Sequence, residues 1–204
     1  MPGATPGRYG TGQQGRTTAM QKIVMRYGLV AGTILAAFVA SMVPLSKRPG
    51  FEHSEVVGYS AMVLAFLLVF FGVRSYRDTV ANGAVGFGKA FQVGLLITLV
   101  ACAMYVITWE IVYFNFLPDF LDHYNAQALD KLRASGADEA ALTKAAADME
   151  ALAKLYANPL FNAGITFLEV FPVGLLMTLI SAAILRRKAA PEAPGTIDTA
   201  ARPA

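Results

Sequence analysis

Charge is what this chain has least of. Of 204 residues, 15% are Asp, Glu, Lys or Arg and 55% are hydrophobic, whereas an average soluble domain is about one quarter charged. Cysteine is nearly absent as well. The single residue, Cys102, excludes an intramolecular disulfide and reads as a small packing residue. The sequence has no nucleophile elbow, metalloprotease helix or cysteine pair, so catalysis has no positive signal. Alternation of apolar and polar residues is missing too, which disfavours a transmembrane strand barrel; in lipid that leaves helices.

What is present instead is long apolar runs. Residues 27–45, 56–73 and 90–109 contain no charged side chain, and 159–185 contains only Glu169. A helix needs roughly 20 such residues to cross a hydrocarbon core. Four spans are therefore expected, at about 23–45, 56–73, 90–114 and 159–185. The first block follows Lys22 and Arg26 as a signal peptide would, but it exceeds the about 7–15 residues of a signal core. Residues 1–19, rich in Gly, Thr and Pro, and 189–204 are expected to be disordered tails, with Met20 a second candidate start. Between them, 20–188 forms one membrane domain.

Eleven of the 17 Lys and Arg residues fall on the side that holds both termini. That bias predicts cytoplasmic termini and an inner-membrane protein. The basic pI is then a topology signal, and no nucleic-acid partner is expected. Membrane lipids are the expected partners.

Residues 118–157, between spans three and four, have a helical grammar of their own. Pro118 and Asp119 open a first helix that stops at Gly136; Asp138 caps a second that is halted by Asn158 and Pro159. Both pieces place apolar residues on one face, so an amphipathic hairpin outside the membrane is expected. It caps the bundle or docks a second copy or another membrane protein. Across the other side, Asn82 and Gly83 mark a tight turn. The glycines near Lys89 lack Walker spacing and a preceding strand.

The segments FQVGLLITLV (91–100) and FPVGLLMTLI (171–180) match at an offset of 80 residues. Their spans run in opposite directions, and spans one and two supply no matching pair, so shared packing explains the match better than an inverted repeat. Gly28, Gly32, Ala36 and Ala40 recur every four residues on span one; Ala90, Gly94 and Thr98 do so on span three, and Gly174, Thr178 and Ala182 on span four. Such stripes let helix backbones approach in lipid, and an all-α four-helix membrane bundle follows.

Glu110 and Glu169 are the candidate site. A charge at membrane depth costs about 2.5–3.5 kcal/mol on insertion scales, so such residues face the bundle interior or water. Counting rises from Lys89 and Arg186 puts both carboxylates in one outer layer. Pro172 removes a backbone hydrogen bond beside Glu169 and supports access to water. His53, Trp109, Tyr113, Asp119 and His123 are supporting candidates. Asp119 and His123 stand four apart, a metal-compatible spacing that is more often solvated; neither a metal nor a cofactor is expected. Trp109, Tyr113 and Phe114 read as an interfacial aromatic belt.

The runs FFGVRSYRD, NGAVGFGKAFQVGLLITLVACAMYVITWEIVY and YANPLFNAGITFLEVFPVGLLMTLISAAILRRK resemble a bacterial family of small four-span membrane proteins catalogued as a domain of unknown function (DUF4199). The resemblance covers residues 20–188. Its most specific pieces are FGKAF, Trp109–Glu110, and FLE before FPVGL. It implies a four-span inner-membrane protein and carries over no catalytic or ligand residue. The expected function is a non-enzymatic structural or interaction component with an outer-half glutamate cluster. The alternatives are a proton- or cation-coupled transporter or channel subunit using Glu110 and Glu169, and a membrane metal-binding module or enzyme.

Overall fold

The structure is a computed structural model that describes residues 10–46 and 55–187. Among these residues there are six helices and no strand: α1 (Gly10–Ser46), α2 (Glu55–Thr79), α3 (Phe87–Phe116), α4 (Phe120–Ala134), α5 (Glu139–Tyr156) and α6 (Pro159–Leu185). α1, α2, α3 and α6 are each long and apolar enough to cross a membrane. Their outward side chains are apolar as well, among them Leu64, Leu168, Leu176 and Ile184, which fits contact with acyl chains. The protein is an all-α, multi-pass membrane bundle.

α1 begins nine residues before the end of the expected disordered tail: Gly10–Ala19 is helical, and the Thr18 hydroxyl donates to the Gln14 carbonyl at 3.0 Å. Once nucleated, a helix extends at the cost of only one residue per added bond, so the apolar span carries the polar segment with it. Residues 1–9 and 188–204, and the loop with Lys47, Arg48 and His53, lie outside the described residues.

α3 is the hub. It packs against α1 and α6, α2 packs against the same two helices, and α2 touches α3 across the middle. α1 and α3 run parallel. A methyl added at Gly28 would stand 2.7 Å from Val100 Cβ, and one at Gly32 would stand 2.8 Å from Met104 Cβ, so four residues along one helix match four along the other. α3 and α6 run antiparallel: a Cβ on Gly94 would meet Thr178 Cγ2 at 2.9 Å, and a Cβ on Gly174 would collide with Thr98 Cγ2. Thr98 donates to the Gly174 carbonyl at 3.3 Å and lies 3.0 Å from the Thr178 hydroxyl. With the Thr98 proton directed at Gly174, Thr178 supplies the proton of the second bond.

The matching decamers of α3 and α6 therefore meet each other as Gly–Thr against Thr–Gly. Shared packing accounts for the match. Phe66 of α2 closes the crossing, fully buried and 2.9 Å from where a Gly174 Cβ would be.

The connections obey the local sequence. Asn82 and Gly83 take positive φ (50° and 82°) in the turn before α3, a backbone region these residues tolerate best. The Arg187 amide donates to the Val85 carbonyl at 2.9 Å, joining the end of α6 to this turn. Asp138 caps α5 by accepting from the Ala141 amide at 2.8 Å, and Gly136 turns the hairpin at φ 86°. Asn158 and Pro159 do more than stop α5. The Asn158 side chain accepts from the Leu160 amide at 2.9 Å, and Pro159 occupies the first turn of α6, where its missing N–H costs nothing.

α4 buries no residue and α5 buries only Leu142. The hairpin meets the bundle through α5 against α6 and through ring contacts of Phe120 and Tyr156 with α3.

Gly174→Ala should destabilise the bundle by about 1–3 kcal/mol, because its methyl meets the threonine and ring already in place. Gly164→Ala, with open space around it, should be neutral or stabilise by up to about 1 kcal/mol. Unfolding in mixed micelles, followed by far-UV circular dichroism, measures both; equal effects would remove the crossing from its central position.

Candidate functional site

Under the hairpin, all six helices border one cavity of about 410 Å³, a volume within the range of small-molecule sites. The floor comes from the bundle. α1 contributes Phe38 and Met42, α2 contributes Gly58, Tyr59 and Met62, and α3 contributes Tyr105 and Trp109. Thr166 and Glu169 of α6 complete it. The roof comes from the hairpin, with Phe120, Tyr124 and Asn125 of α4 and Leu152 and Tyr156 of α5. Glu169 is the single charged residue among the described lining.

A polar knot holds one wall. Trp109 Nε1 donates to Asn162 Oδ1 at 2.9 Å, and the Thr166 hydroxyl donates to the same oxygen at 3.2 Å. Asn162 is fully buried and Thr166 nearly so. One amide oxygen thus accepts two donors, the capacity of its two lone pairs. Aromatic rings extend the wall: Trp109 meets Phe120 edge-on at 5.2 Å and Tyr113 at 5.7 Å, and Tyr113 meets Tyr156 at 6.4 Å. Burial, followed by the negative charge of Glu169, holds the Tyr156 phenol above its usual range. Tyr105 also stands within electrostatic reach of Glu169.

Glu169 lies on the tenth residue past the start of α6, about 15 Å below the hairpin end. It is exposed, and it lines the cavity. Glu110 is placed elsewhere. It is outside the lining, half-buried, with Oε1 enclosed and without a hydrogen-bond partner.

The two carboxylates do not share a layer. Trp109 is level with Asn162, so Glu169, seven residues further along α6, sits about 10 Å from the level of Glu110. The cause is the reference points. Arg187 is level with Val85, so Lys89 starts about 6 Å above the end of α6, and rises counted from Lys89 and Arg186 do not begin at one height.

The supporting candidates divide. Trp109 joins Glu169 in the lining. Tyr113 is buried behind it and ring-packed, so Trp109 and Tyr113 face inward and only Phe114, 40% exposed, suits an outward belt. Pro172 faces out one turn beyond Glu169, inside an α6 that continues past it. Asp119 and His123 are exposed at the start of α4, joined through the His123 amide and the Asp119 carbonyl at 3.1 Å, and neither lines the cavity. His53 is outside the described residues. Among the described residues no group of three metal-ligating side chains converges.

Asn162, Thr166, Tyr59 and Tyr105 were not legible as site residues. For Asn162 and Thr166 a signal existed: two polar residues four apart in an apolar block, the same reasoning that singles out Glu169. Tyr59 and Tyr105 have none, because their positions depend on how α2 and α3 are rotated.

A family model described as "Protein of unknown function (DUF4199)" matches residues 26–187. No curated protein and no solved structure matches the chain.

Asn162→Leu should cost about 1–3 kcal/mol, since it leaves the Trp109 N–H enclosed without an acceptor. Adding Trp109→Phe should restore part of that loss, because a pair removed together leaves nothing unsatisfied. A double-mutant cycle on detergent unfolding tests the knot; strict additivity would show the two side chains to be independent.

Proposed function

The chain belongs to the family of proteins of unknown function DUF4199, and on that footing we propose that it is a binding protein, holding a small apolar or amphipathic molecule in the cavity beneath its hairpin. The observation that carries this reading is the cavity itself: bordered by every helix, lined largely by apolar and aromatic side chains, with a few polar groups aimed in. That is the composition by which small molecules are held and oriented. Apolar and aromatic side chains make up most of the described lining, with Glu169 the one charged residue among them, a composition suited to holding a molecule.

The membrane is the bacterial cytoplasmic one in this reading, with both termini inside. The Lys and Arg bias toward the termini supports it. The hairpin then lies outside, and the cavity sits at the outer boundary, where amphipathic molecules partition.

A cation or proton relay through Glu110 and Glu169 is the second reading, favoured by Glu169 alone. Glu110 stands outside the cavity, and below Glu169 the bundle is closed by Phe66, Ile97, Thr98 and Thr178, all fully buried. A route across the bundle would have to cross that layer, so capture at one face fits better than conduction.

Full-length protein in dodecyl maltoside should show saturable energy transfer from Trp109, its single tryptophan, to the neutral fluorophore N-phenyl-1-naphthylamine. Gly58 borders the cavity with open space where a side chain would start. Gly58→Leu should therefore abolish saturable transfer without lowering the unfolding midpoint, and Glu110→Gln should leave transfer unchanged. Transfer that Gly58→Leu does not alter would overturn the cavity as the binding site.

A further inference from the structure

Tyr105 of α3 is enclosed, yet its hydroxyl is unused. The residue is 7% exposed and lines the cavity. Among the described residues its hydroxyl makes no hydrogen bond; Glu169 and Tyr59 reach it through electrostatics alone. Its neighbours along the α3–α6 seam are paired: Thr98 with Gly174 and Thr178, and Trp109 and Thr166 with Asn162. The Tyr105 oxygen is also reachable. Among the described residues the fully enclosed side-chain polar atom without a hydrogen bond is Glu110 Oε1, so the Tyr105 hydroxyl opens onto the space that its ring lines. A buried donor left unmade is costly, and a phenol donates better than it accepts because its ring shares the oxygen lone pair. The open position calls for an acceptor.

The rest of the lining narrows what carries that acceptor. Seven of the described lining residues are aromatic, and some already form a series of ring contacts: Trp109 meets Phe120 edge-on at 5.2 Å, and Phe120 stacks on Tyr124 at 6.2 Å. A flat ring continues such a series, because offset and edge-on ring contacts add attraction beyond area burial. A flexible alkyl chain gains nothing of that kind. The volume of about 410 Å³ is near the lower end of the about 300–1,000 Å³ spanned by small-molecule sites, which suits one or two fused rings and excludes a whole two-chain lipid. A purely hydrocarbon ring would fill the space and leave the Tyr105 hydroxyl bare. A ketone oxygen accepts the bond without bringing a charge that the apolar lining would have to strip of water.

We propose that the cavity selects a flat ring bearing a carbonyl oxygen, an aryl ketone or quinone in class, with the Tyr105 hydroxyl donating to that oxygen and Trp109, Phe120 and Tyr124 lying against the ring. This rests on the binding reading above and adds to it the group by which the occupant is recognised.

Displacement of bound N-phenyl-1-naphthylamine from the full-length protein in dodecyl maltoside tests this, with 1-tetralone and tetralin as competitors that share their fused rings and differ in the ketone oxygen. The ratio of their half-displacing concentrations is compared between variants, which cancels their unequal partitioning into micelles. Tyr105→Phe keeps the ring and should weaken the ketone relative to the hydrocarbon about fivefold, the effect of one neutral hydrogen bond. It should not lower the unfolding midpoint of the protein without competitor. Tyr113→Phe, outside the lining, should leave the ratio unchanged. A ratio that Tyr105→Phe does not alter overturns the proposal and leaves the binding reading standing; a lowered midpoint gives the hydroxyl a partner within the protein and overturns it likewise. Absence of saturable naphthylamine binding in wild type overturns both. Should Tyr105→Phe fail to bind the probe, the infrared carbonyl stretch of isotopically labelled 1-tetralone on wild type, taken as the difference from Gly58→Leu, decides. A stretch at the frequency found in alcohols supports the donated bond, and one at the frequency found in alkanes overturns it.

Discussion

The close approach of α3 to α6 is the constraint on which the rest of the structure depends. Hydrocarbon gives no hydrophobic reward for bringing two apolar helices together, so association rests on packing and on hydrogen bonds between backbones that can come near. Gly94 and Gly174 remove the side chains that would hold the axes apart, and Thr98 and Thr178 fill the space and join their hydroxyls at 3.0 Å. A bond of this kind contributes only about 0.6 kcal/mol in membranes. Its larger effect is on register. Once Thr98 faces Gly174, Trp109 is carried to the level of Asn162, and the Trp–Asn bond fixes the upper end of the same pair. Trp109 and, next to Asn162 on α6, Thr166 also line the cavity that the hairpin borders from the other side.

Buried polar groups along this seam are satisfied in sequence order. Ser181 returns its proton to the Met177 carbonyl, Thr98 donates to Gly174, and Asn162 accepts from Trp109 and Thr166. Each of these groups would cost several kcal/mol if left bare in hydrocarbon. Glu110 Oε1 departs from the pattern. Glu110 is half-buried on α3 and stands outside the cavity lining. The two acidic residues thus differ in placement: Glu169 lines the cavity and Glu110 does not.

Much of the fold was legible in the sequence because its signals are one-dimensional. Run length identifies spans whatever their neighbours, and Asp138, Gly136, Asn82 and Gly83 act within a few residues of themselves. The two decamers also disclosed the packing they perform. The site was less legible, since it depends on rotation and height. A rise counted along one helix carries no information about where the neighbouring helix begins, which is how Glu110 and Glu169 came to be expected in one layer. Trp109 and Tyr113 carry the composition of an outward belt, yet a buried amide on α6, far along the chain, holds Trp109 inward, and Tyr113 is buried against Trp109 and Tyr156. Asp119 and His123 keep their helical spacing but face solvent, because spacing on one helix fixes mutual proximity and leaves the direction they share undetermined.

The hairpin completes the argument through what it does not bury. An amphipathic helix is stable when its apolar stripe meets another surface, and α4 and α5 are amphipathic with almost nothing fully enclosed: Leu142 is the single buried residue of the two, while Tyr124, Leu152 and Leu155 remain between 43% and 51% exposed. Their apolar side instead faces the cavity through Phe120, Leu121, Tyr124 and Leu152. Local stability follows local burial, so an element with few enclosed contacts opens at lower free energy than a packed core. The floor of the cavity is built on the tightest crossing in the bundle and the roof on its loosest element. A molecule entering this space meets a preformed floor and gives the hairpin the apolar contact that its own sequence asks for.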